Sequence, residues 1–335
     1  MNIATIGSGF IVDAFLSAVN QIEDIQCTAV YSRKEETAKP LMEKYNIAAV
    51  YTKLEALMED PNVDAVYIAS PNSLHFEQAY LALQHGKHVI CEKPFTSTIA
   101  ELDQLIALAK QKQLLLFEAI TTLHLPNFQL IKEQLSKLGA IKFIQCNYSQ
   151  YSSRYGQLLN GETPNVFSTQ FSGGALTDIN IYNLHFVLKL FGSPQSVSYT
   201  ANKHPNGIDT SGTVVLKYPE FIAQCVGCKD TNSMNFVLIQ GEKGYLHVEK
   251  GANGCRKLVL HTNDSEIELN AQTNDNLLYY ELAAFNHIYK TNDFEQCYRL
   301  LEHSRSVIET VVQARNDAGI VFAADLDHSA AANRN

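Results

Sequence analysis

The chain has 335 residues, 46% hydrophobic and 18% charged, which is enough apolar material for a sizeable core and for two ordinary domains. Its formal charge of −9, from 26 basic and 35 acidic residues, argues against nucleic-acid binding and requires any phosphate site to be local. No apolar run approaches the ~18 residues of a membrane span, and a strand pattern that starts at Asn2 leaves no room for a secretory leader, so a cytoplasmic protein is expected. Seven scattered cysteines, Cys27, Cys91, Cys146, Cys225, Cys228, Cys255 and Cys297, fit free thiols in a reducing compartment. Cys225 and Cys228 form a CxxC inside a strand-like run, where positions three apart face opposite sides, and no second pair completes a metal site. No metal is expected.

Residues 1–121 alternate strand and helix patterns, the signature of a doubly wound parallel sheet. Strands are predicted at Ile3–Ile6, Ile25–Tyr31, Ala48–Tyr51, Ala65–Ala69, His88–Cys91 and Leu114–Phe117. Several are unbroken apolar runs, as strands buried on both faces should be. Helices fill the gaps, among them Glu77–Gln84, stopped by Gly86, and Ala100–Gln111, preceded by the cap candidates Thr96, Ser97 and Thr98.

Residues 122–326 read differently. One helix is predicted over Asn127–Leu138. Strands follow at Ile141–Ser149, Val197–Ala201, Gly212–Lys217, Phe221–Cys225, Asn235–Gln240, Tyr245–Glu249, Lys257–His261 and Glu266–Leu269. Turn residues such as Gly241 and Gly244 separate them, giving a large, mostly antiparallel sheet with one open face. Helices over Asn276–Lys290 and Phe294–Asp317 come next, and residues 327–335 form a polar tail. The expected fold is therefore a Rossmann-like α/β domain followed by an α+β domain.

The first strand runs into Gly7-Ser8-Gly9-Phe10-Ile11-Val12, directly before an amphipathic helix. Glycines there permit a tight turn and close backbone approach to a pyrophosphate, which the helix N-terminus favours. Gly7, Gly9, Phe10 and Ile11 are the candidate cradle. Val12 stands where the third small residue of the fingerprint is usual. After the second strand comes Ser32-Arg33-Lys34, with no acid until Glu35. These three can hold a 2′-phosphate, which favours NADP over NAD without excluding NAD. Ser70-Pro71-Asn72-Ser73-Leu74-His75 follows the fourth strand, beside the switch point of the sheet. Ser70, Asn72 and His75 can line the cofactor path; turn and cap residues for the next helix explain the same pattern equally well.

The fifth strand ends in Cys91-Glu92-Lys93-Pro94, which puts a lysine where open α/β sheets bind ligands. Much later, Gly173-Gly174-Ala175-Leu176-Thr177-Asp178 precedes a helix predicted over Ile179–Phe191. Asp178, Tyr182 and His185 lie at i, i+4 and i+7, on one helical face. An aspartate near a helix N-terminus with a core tyrosine and histidine beyond it is the bland alternative. Oxidation of a carbinol needs a hydride acceptor and a group to take the hydroxyl proton. Lys93 beside Tyr182 would favour tyrosinate, and Asp178 could hold the substrate or orient the lysine.

Together, GxG after strand one, Ser-Pro-Asn-x-x-His at 70–75, Glu-Lys-Pro at 92–94 and Gly-Gly-Ala-x-x-Asp-x-x-x-Tyr at 173–182 resemble the glucose–fructose oxidoreductase/inositol dehydrogenase/MocA family over nearly the whole chain. The resemblance implies an NAD(P)-dependent dehydrogenase or reductase acting on a sugar, polyol or vicinal diol. It implies that Glu92 touches the nicotinamide-side ribose, that Lys93 contacts the substrate hydroxyl, that the Lys93–Pro94 peptide is cis, and that His185 lines the substrate pocket. It also implies a homodimer or homotetramer formed through the open sheet. Tyr182 occupies the acid/base position, as in the dihydrodiol dehydrogenase-like members; other members have His there. The Glu118-Ala119…Pro126 segment departs from the family by carrying Thr121 and Leu123 where an aromatic and an arginine are frequent, so Thr121 marks a pocket of altered shape or charge. Two other readings stay open: a redox-neutral nicotinamide-dependent glycosidase-type enzyme, and a non-catalytic nucleotide-binding regulator, which has no need of Lys93 and Tyr182.

Overall fold

A computed structural model of the protein describes residues 1–326; the polar tail expected over 327–335 lies outside the described residues. The chain divides into two compact units, Met1–Ala119 with Asn274–Arg305, and Ile120–Thr273 with the residues from Ser306 onward.

The first unit opens as the sequence pattern dictates: β1 (Asn2–Ile6), α1 (Phe10–Val19), β2 (Gln26–Tyr31), α2 (Glu35–Tyr45), β3 (Ala49–Tyr51), α3 (Leu54–Met58), β4 (Ala65–Ile68), α4 (His75–Gln84), β5 (His88–Glu92), α5 (Ile99–Lys112) and β6 (Leu116–Ala119). The strands pair in parallel in the order β3-β2-β1-β4-β5-β6. The order reverses between β1 and β4, so their C-terminal ends flank the crevice in which such sheets bind ligands. Every residue of the central β4 is buried, and so is every residue of the edge strand β6, which the Phe285 side chain covers at Phe117. Thr98 and Glu101 form a reciprocal capping box that starts α5.

The second unit begins with a 3₁₀ turn at Thr121–His124, then α6 (Pro126–Gln134), β7 (Ile141–Ser149), α7 (Tyr155–Leu159) and α8 (Ile181–Phe191). The strands β8 (Ser196–Lys203), β9 (Asp209–Lys217), β10 (Ile222–Cys228), β11 (Phe236–Gly241), β12 (Gly244–Glu249), β13 (Lys257–Thr262) and β14 (Glu266–Leu269) complete its sheet. The order is β14-β13-β12-β11-β7-β10-β9-β8, with β10 and β7 parallel and the other neighbours antiparallel. Alternation sorts the two faces. Ala223, Cys225, Val237, Ile239, Leu246 and Val248 are fully buried on one, while Ile222 and Tyr245 are 42% and 40% exposed on the other.

The C-terminal helices are α9 (Leu278–Thr291) and α10 (Phe294–Asp317), the division between units falling within α10. In the first unit α9 packs on the parallel sheet: Phe285 stacks on Phe117 at 4.4 Å, and Leu278 and Leu282 join the same core. Chain order alone had placed these residues within 122–326.

Two helices differ from the periodic pattern. The one expected over Asn127–Leu138 narrows after Gln134 into a 3₁₀ turn at Leu135–Leu138, tightening toward Gly139 at φ 70°. The one expected from Ile179 starts earlier, as a π-turn over Leu176–Asn180 that runs into α8. All seven cysteines are free. Among the described residues no cluster of three or more His, Cys, Asp or Glu could hold a metal, and no helix is long and apolar enough to cross a membrane.

Candidate active site

In the first unit the glycine turn sits at the end of β1. Gly7 has φ +117°, and a Cβ there would stand 2.8 Å from the carbonyl oxygen of Ala69, just past β4. Its amide donates to Tyr31 O at 3.1 Å, tying the turn to β2. Gly9 precedes α1 with an ordinary φ of −83°, and a Cβ there would meet nothing within 4 Å. The absent side chain leaves open space at a helix N-terminus, which suits the close approach of a pyrophosphate. Phe10 opens α1 and is 87% exposed, whereas Ile11 is half-buried. Val12 is fully buried in the core with Ile3, Phe15 and Leu16; the larger residue thus packs inward.

At the end of β2, Arg33 and Lys34 are exposed, and neither forms an ion pair among the described residues. Two cations on the loop that follows β2 fit a ribose 2′-phosphate. The Ser32 hydroxyl shares a hydrogen bond with that of Thr37.

Beyond β4, Ser70 donates its hydroxyl to Gln78 Oε1 at 2.7 Å, and Asn72 is half-buried at the start of a 3₁₀ turn. His75, a candidate for the cofactor path, is held on both sides of its ring. It is 1% exposed, with Nδ1 2.9 Å from Pro94 O and Nε2 3.0 Å from Ser70 O. Burial lowers its pKa below the ordinary histidine value. It ties the loop after β4 to the loop after β5.

That second loop carries Lys93, half-buried, joined to Pro94 by a cis peptide. Glu92, the last residue of β5, accepts a 2.6 Å hydrogen bond from the Tyr67 hydroxyl. Burial raises its carboxyl above the ordinary range, partly offset by the Lys93 charge and the Tyr67 hydroxyl. Tyr67 is itself fixed by stacking on Phe15, with ring centroids 3.7 Å apart.

In the second unit the Gly173-Gly174 turn is required by close packing. A Cβ on Gly173 would lie 2.6 Å from Val166 O, and one on Gly174, at φ +101°, only 2.0 Å from Asp209 Oδ1. Asp209 is 1% exposed and accepts from Leu176 N and from the Tyr199 hydroxyl, each at 2.7 Å. A buried carboxylate therefore caps the π-turn that presents Asp178. Such turns interrupt helices at functional positions often enough to mark this one as a candidate.

Asp178 and Tyr182 are half-buried, and the Tyr182 ring packs edge-on to Tyr148 at 5.9 Å. His185 departs from the single polar face expected of the three: it is fully buried in the core-facing side of α8. Thr121 is half-buried where its 3₁₀ turn begins, and Leu123 behind it is buried.

Lys229, Asp209, Tyr67 and the tying role of His75 escape sequence reasoning. Lys229 follows β10 and donates to Asp178 Oδ2. The same signal that marks Lys93, a lysine at a strand end, was present at Lys229, but in a largely antiparallel sheet strand ends carry no rule for ligand binding. Asp209 lies 31 positions from Asp178, and no local pattern joins them.

Comparison with known proteins finds matches over most of the chain. Residues 1–120 match the model of an oxidoreductase family with an NAD-binding Rossmann fold, and residues 128–247 match a GFO/IDH/MocA C-terminal domain. An uncharacterised oxidoreductase of Escherichia coli is 38% identical over 328 residues, covering 96% of this chain and 98% of that one. The scyllo-inositol 2-dehydrogenase (NADP+) of Bacillus subtilis is 37% identical, covering 96% and 98%. The trans-1,2-dihydrobenzene-1,2-diol dehydrogenase of Sus scrofa is 26% identical, covering 96% and 97%. Among solved structures, a 3-ketoreductase from Actinomadura kijaniata, in complex with NADP and TDP-benzene, superposes with a TM-score of 0.84 at 22% identity over 95% of this chain and 97% of that one. At that identity the likeness bears on the fold.

Proposed function

Since the chain belongs to the GFO/IDH/MocA family of oxidoreductases with an NAD-binding Rossmann domain, we propose that it moves a hydride between NADP(H), with NAD(H) as the lesser alternative, and a carbinol or carbonyl carbon of a ring-borne vicinal diol such as a polyol or sugar. The observation that carries the substrate class is shared chemistry. The relatives from Bacillus subtilis and Sus scrofa are named for substrates that each bear adjacent trans hydroxyls on a six-membered carbocycle. Tyr182 stands four residues after Asp178, and both side chains are half-buried.

When bound, a nicotinamide would supply the hydride acceptor or donor for the reacting carbon. Gly7 and Gly9 would admit its pyrophosphate, Phe10 and Ile11 would flank it, and Ser32, Arg33 and Lys34 would hold the 2′-phosphate. Glu92, held by Tyr67, would bind ribose hydroxyls beside it, with Ser70 and Asn72 along the same path. Lys93 would hold the oxygen on the reacting carbon and draw negative charge onto it as the proton leaves. Tyr182 would take that proton. Asp178 would accept a hydrogen bond from the neighbouring hydroxyl and select for a diol over a lone alcohol. Thr121 would border the same substrate. We place the oligomer interface on the open face of the second unit's sheet, where Ile222 and Tyr245 stand exposed; light scattering that reads a monomer would overturn that placement.

The test is a screen of NADP+ and NAD+ against scyllo-inositol, trans- and cis-cyclohexane-1,2-diol, cyclohexanol and free hexoses, followed by nicotinamide absorbance. Reduction of NADP+ by the trans diols and not by cyclohexanol is expected. Turnover of cyclohexanol equal to that of the diols would remove the diol assignment. Cofactor binding with no turnover of any alcohol would remove the oxidoreductase one.

A further inference from the structure

Lys229 is a buried cation whose position is over-determined. Its side chain is 6% exposed, its ammonium donates to Asp178 Oδ2, and it lies 5.5 Å from the centre of the Phe167 ring. A lysine buried this far is unfavourable unless paired. Its amide donates to Thr210 O, and its carbonyl accepts from Ser152 N, both at 2.8 Å.

The register between the π-turn and β10 fixes the pair. Asn180 packs so tightly on Gly227 that a Cβ there would lie 2.6 Å from Asn180 Cβ. Asn180 Nδ2 donates to Cys225 O, and Asn183 Nδ2 to Val226 O, each at 3.0 Å. Asp178, two residues before Asn180, is thereby set against Lys229, two residues after Gly227. The neighbouring acids have partners of their own. Asp230 Oδ2 accepts from the Thr210 and Ser211 hydroxyls, each at 2.8 Å, and Asp209 accepts from Leu176 N and Tyr199. The Asp178 side chain keeps 29% exposure, so one oxygen is tied inward while the carboxylate remains reachable.

We infer that Lys229 is a positioning residue: its ammonium holds the Asp178 carboxylate ionised and in one orientation, ready to accept a hydrogen bond from a substrate hydroxyl. Lys229 itself touches no substrate. The inference rests on the proposed reading of Asp178 as the diol-holding group, and it is tested by a measurement that needs no turnover.

The carboxyl resonance of Asp178 is followed against pH in the full chain carrying isotope-labelled aspartate, assigned by its loss in Asp178→Asn. Lys229→Met and Lys229→Gln should raise its titration midpoint by about 1–3 pH units, as loss of an adjacent cation does. Lys229→Arg should keep it near the wild-type value. The acid limb of kcat/KM for NADP+ and scyllo-inositol should move with the midpoint, whereas a merely structural ion pair would lower stability and leave that limb in place. An unchanged midpoint in the neutral variants overturns the inference, and so does a Lys93→Met shift as large as theirs. If neither neutral variant folds, an Arg variant whose midpoint rises as for an unpaired aspartate overturns it equally. Wild-type protein that turns over no alcohol while the midpoint still moves refutes the proposed function and not the pairing.

Discussion

Gly7 and Gly9 belong to one motif but should fail in different ways. An alanine at Gly7 must adopt φ +117° and bring its Cβ to 2.8 Å from the Ala69 carbonyl. A left-handed backbone costs ~1–2 kcal/mol for an L-residue, and forcing a methyl against backbone adds ~1–3 kcal/mol, so Gly7→Ala should destabilise by about 2–5 kcal/mol. Gly9 has φ −83° and ψ −176° with nothing within 4 Å of a Cβ. There the lower entropy of the unfolded chain gains ~0.4–1 kcal/mol, and a poorer helix cap loses a similar amount, leaving stability within about 0.5 kcal/mol of wild type. The methyl would nonetheless fill the space assigned to the pyrophosphate. A fall in NADPH affinity of at least about 10-fold, or ~1.4 kcal/mol, is expected. Urea unfolding and fluorescence titration with NADPH measure the two quantities separately. If Gly9→Ala binds NADPH as wild type does, or if it unfolds as easily as Gly7→Ala, the division of labour derived from the backbone is refuted.

Three further outcomes follow from individual contacts. Arg33→Ala should weaken NADPH binding by about 10-fold or more and leave NADH binding nearly unchanged, since a charge-assisted hydrogen bond contributes ~1.5–3 kcal/mol; an unchanged ratio of the two affinities contradicts the 2′-phosphate assignment. Tyr67→Phe keeps the stack on Phe15 but removes the 2.6 Å bond to Glu92, so about 1–3 kcal/mol of stability should be lost in urea unfolding, and the Glu92 carboxyl should rise further. Asp209 supplies a pH test. Burial raises its carboxyl, despite the Tyr199 and Leu176 hydrogen bonds. An acid with a raised folded pKa contributes stability that is full below its unfolded value of ~3.9 and is lost as pH rises through the folded value. The stability of wild type relative to Asp209→Asn should therefore decline with rising pH in urea unfolding, and parallel pH curves would contradict it.

The parallel sheet was legible because its strands are unbroken apolar runs and its turns carry glycine, signals that act within a few residues. The cap candidates at Thr96, Ser97 and Thr98, of which Thr98 caps α5, and the helix over Phe294–Asp317 were readable for the same reason. The antiparallel strands showed in their alternation, but not their neighbours: the parallel pairing of β10 with β7 joins segments 79 positions apart, as at Ser149 and Cys228, where hydrophobic period says nothing about partner choice. Lys93, Asp178 and Tyr182 stood out as polar groups interrupting apolar patterns. His185 interrupts the same pattern, yet it is buried, because α8 is enclosed on nearly all sides: Ile181 and Asn183 to Leu188 are all buried. Lys229 and Asp209 act across the sheet, and only tertiary packing shows what they hold.

Lys93 and Tyr182 are proposed to serve hydride transfer rather than cofactor retention. The decisive comparison is of wild type, Lys93→Met and Tyr182→Phe for NADPH affinity and for single-turnover oxidation of a ring diol that the wild type accepts. NADPH binding within a few-fold of wild type is expected in both variants, with a loss of turnover of about 10²–10⁴-fold. Turnover that survives in both variants at the wild-type rate would contradict that assignment.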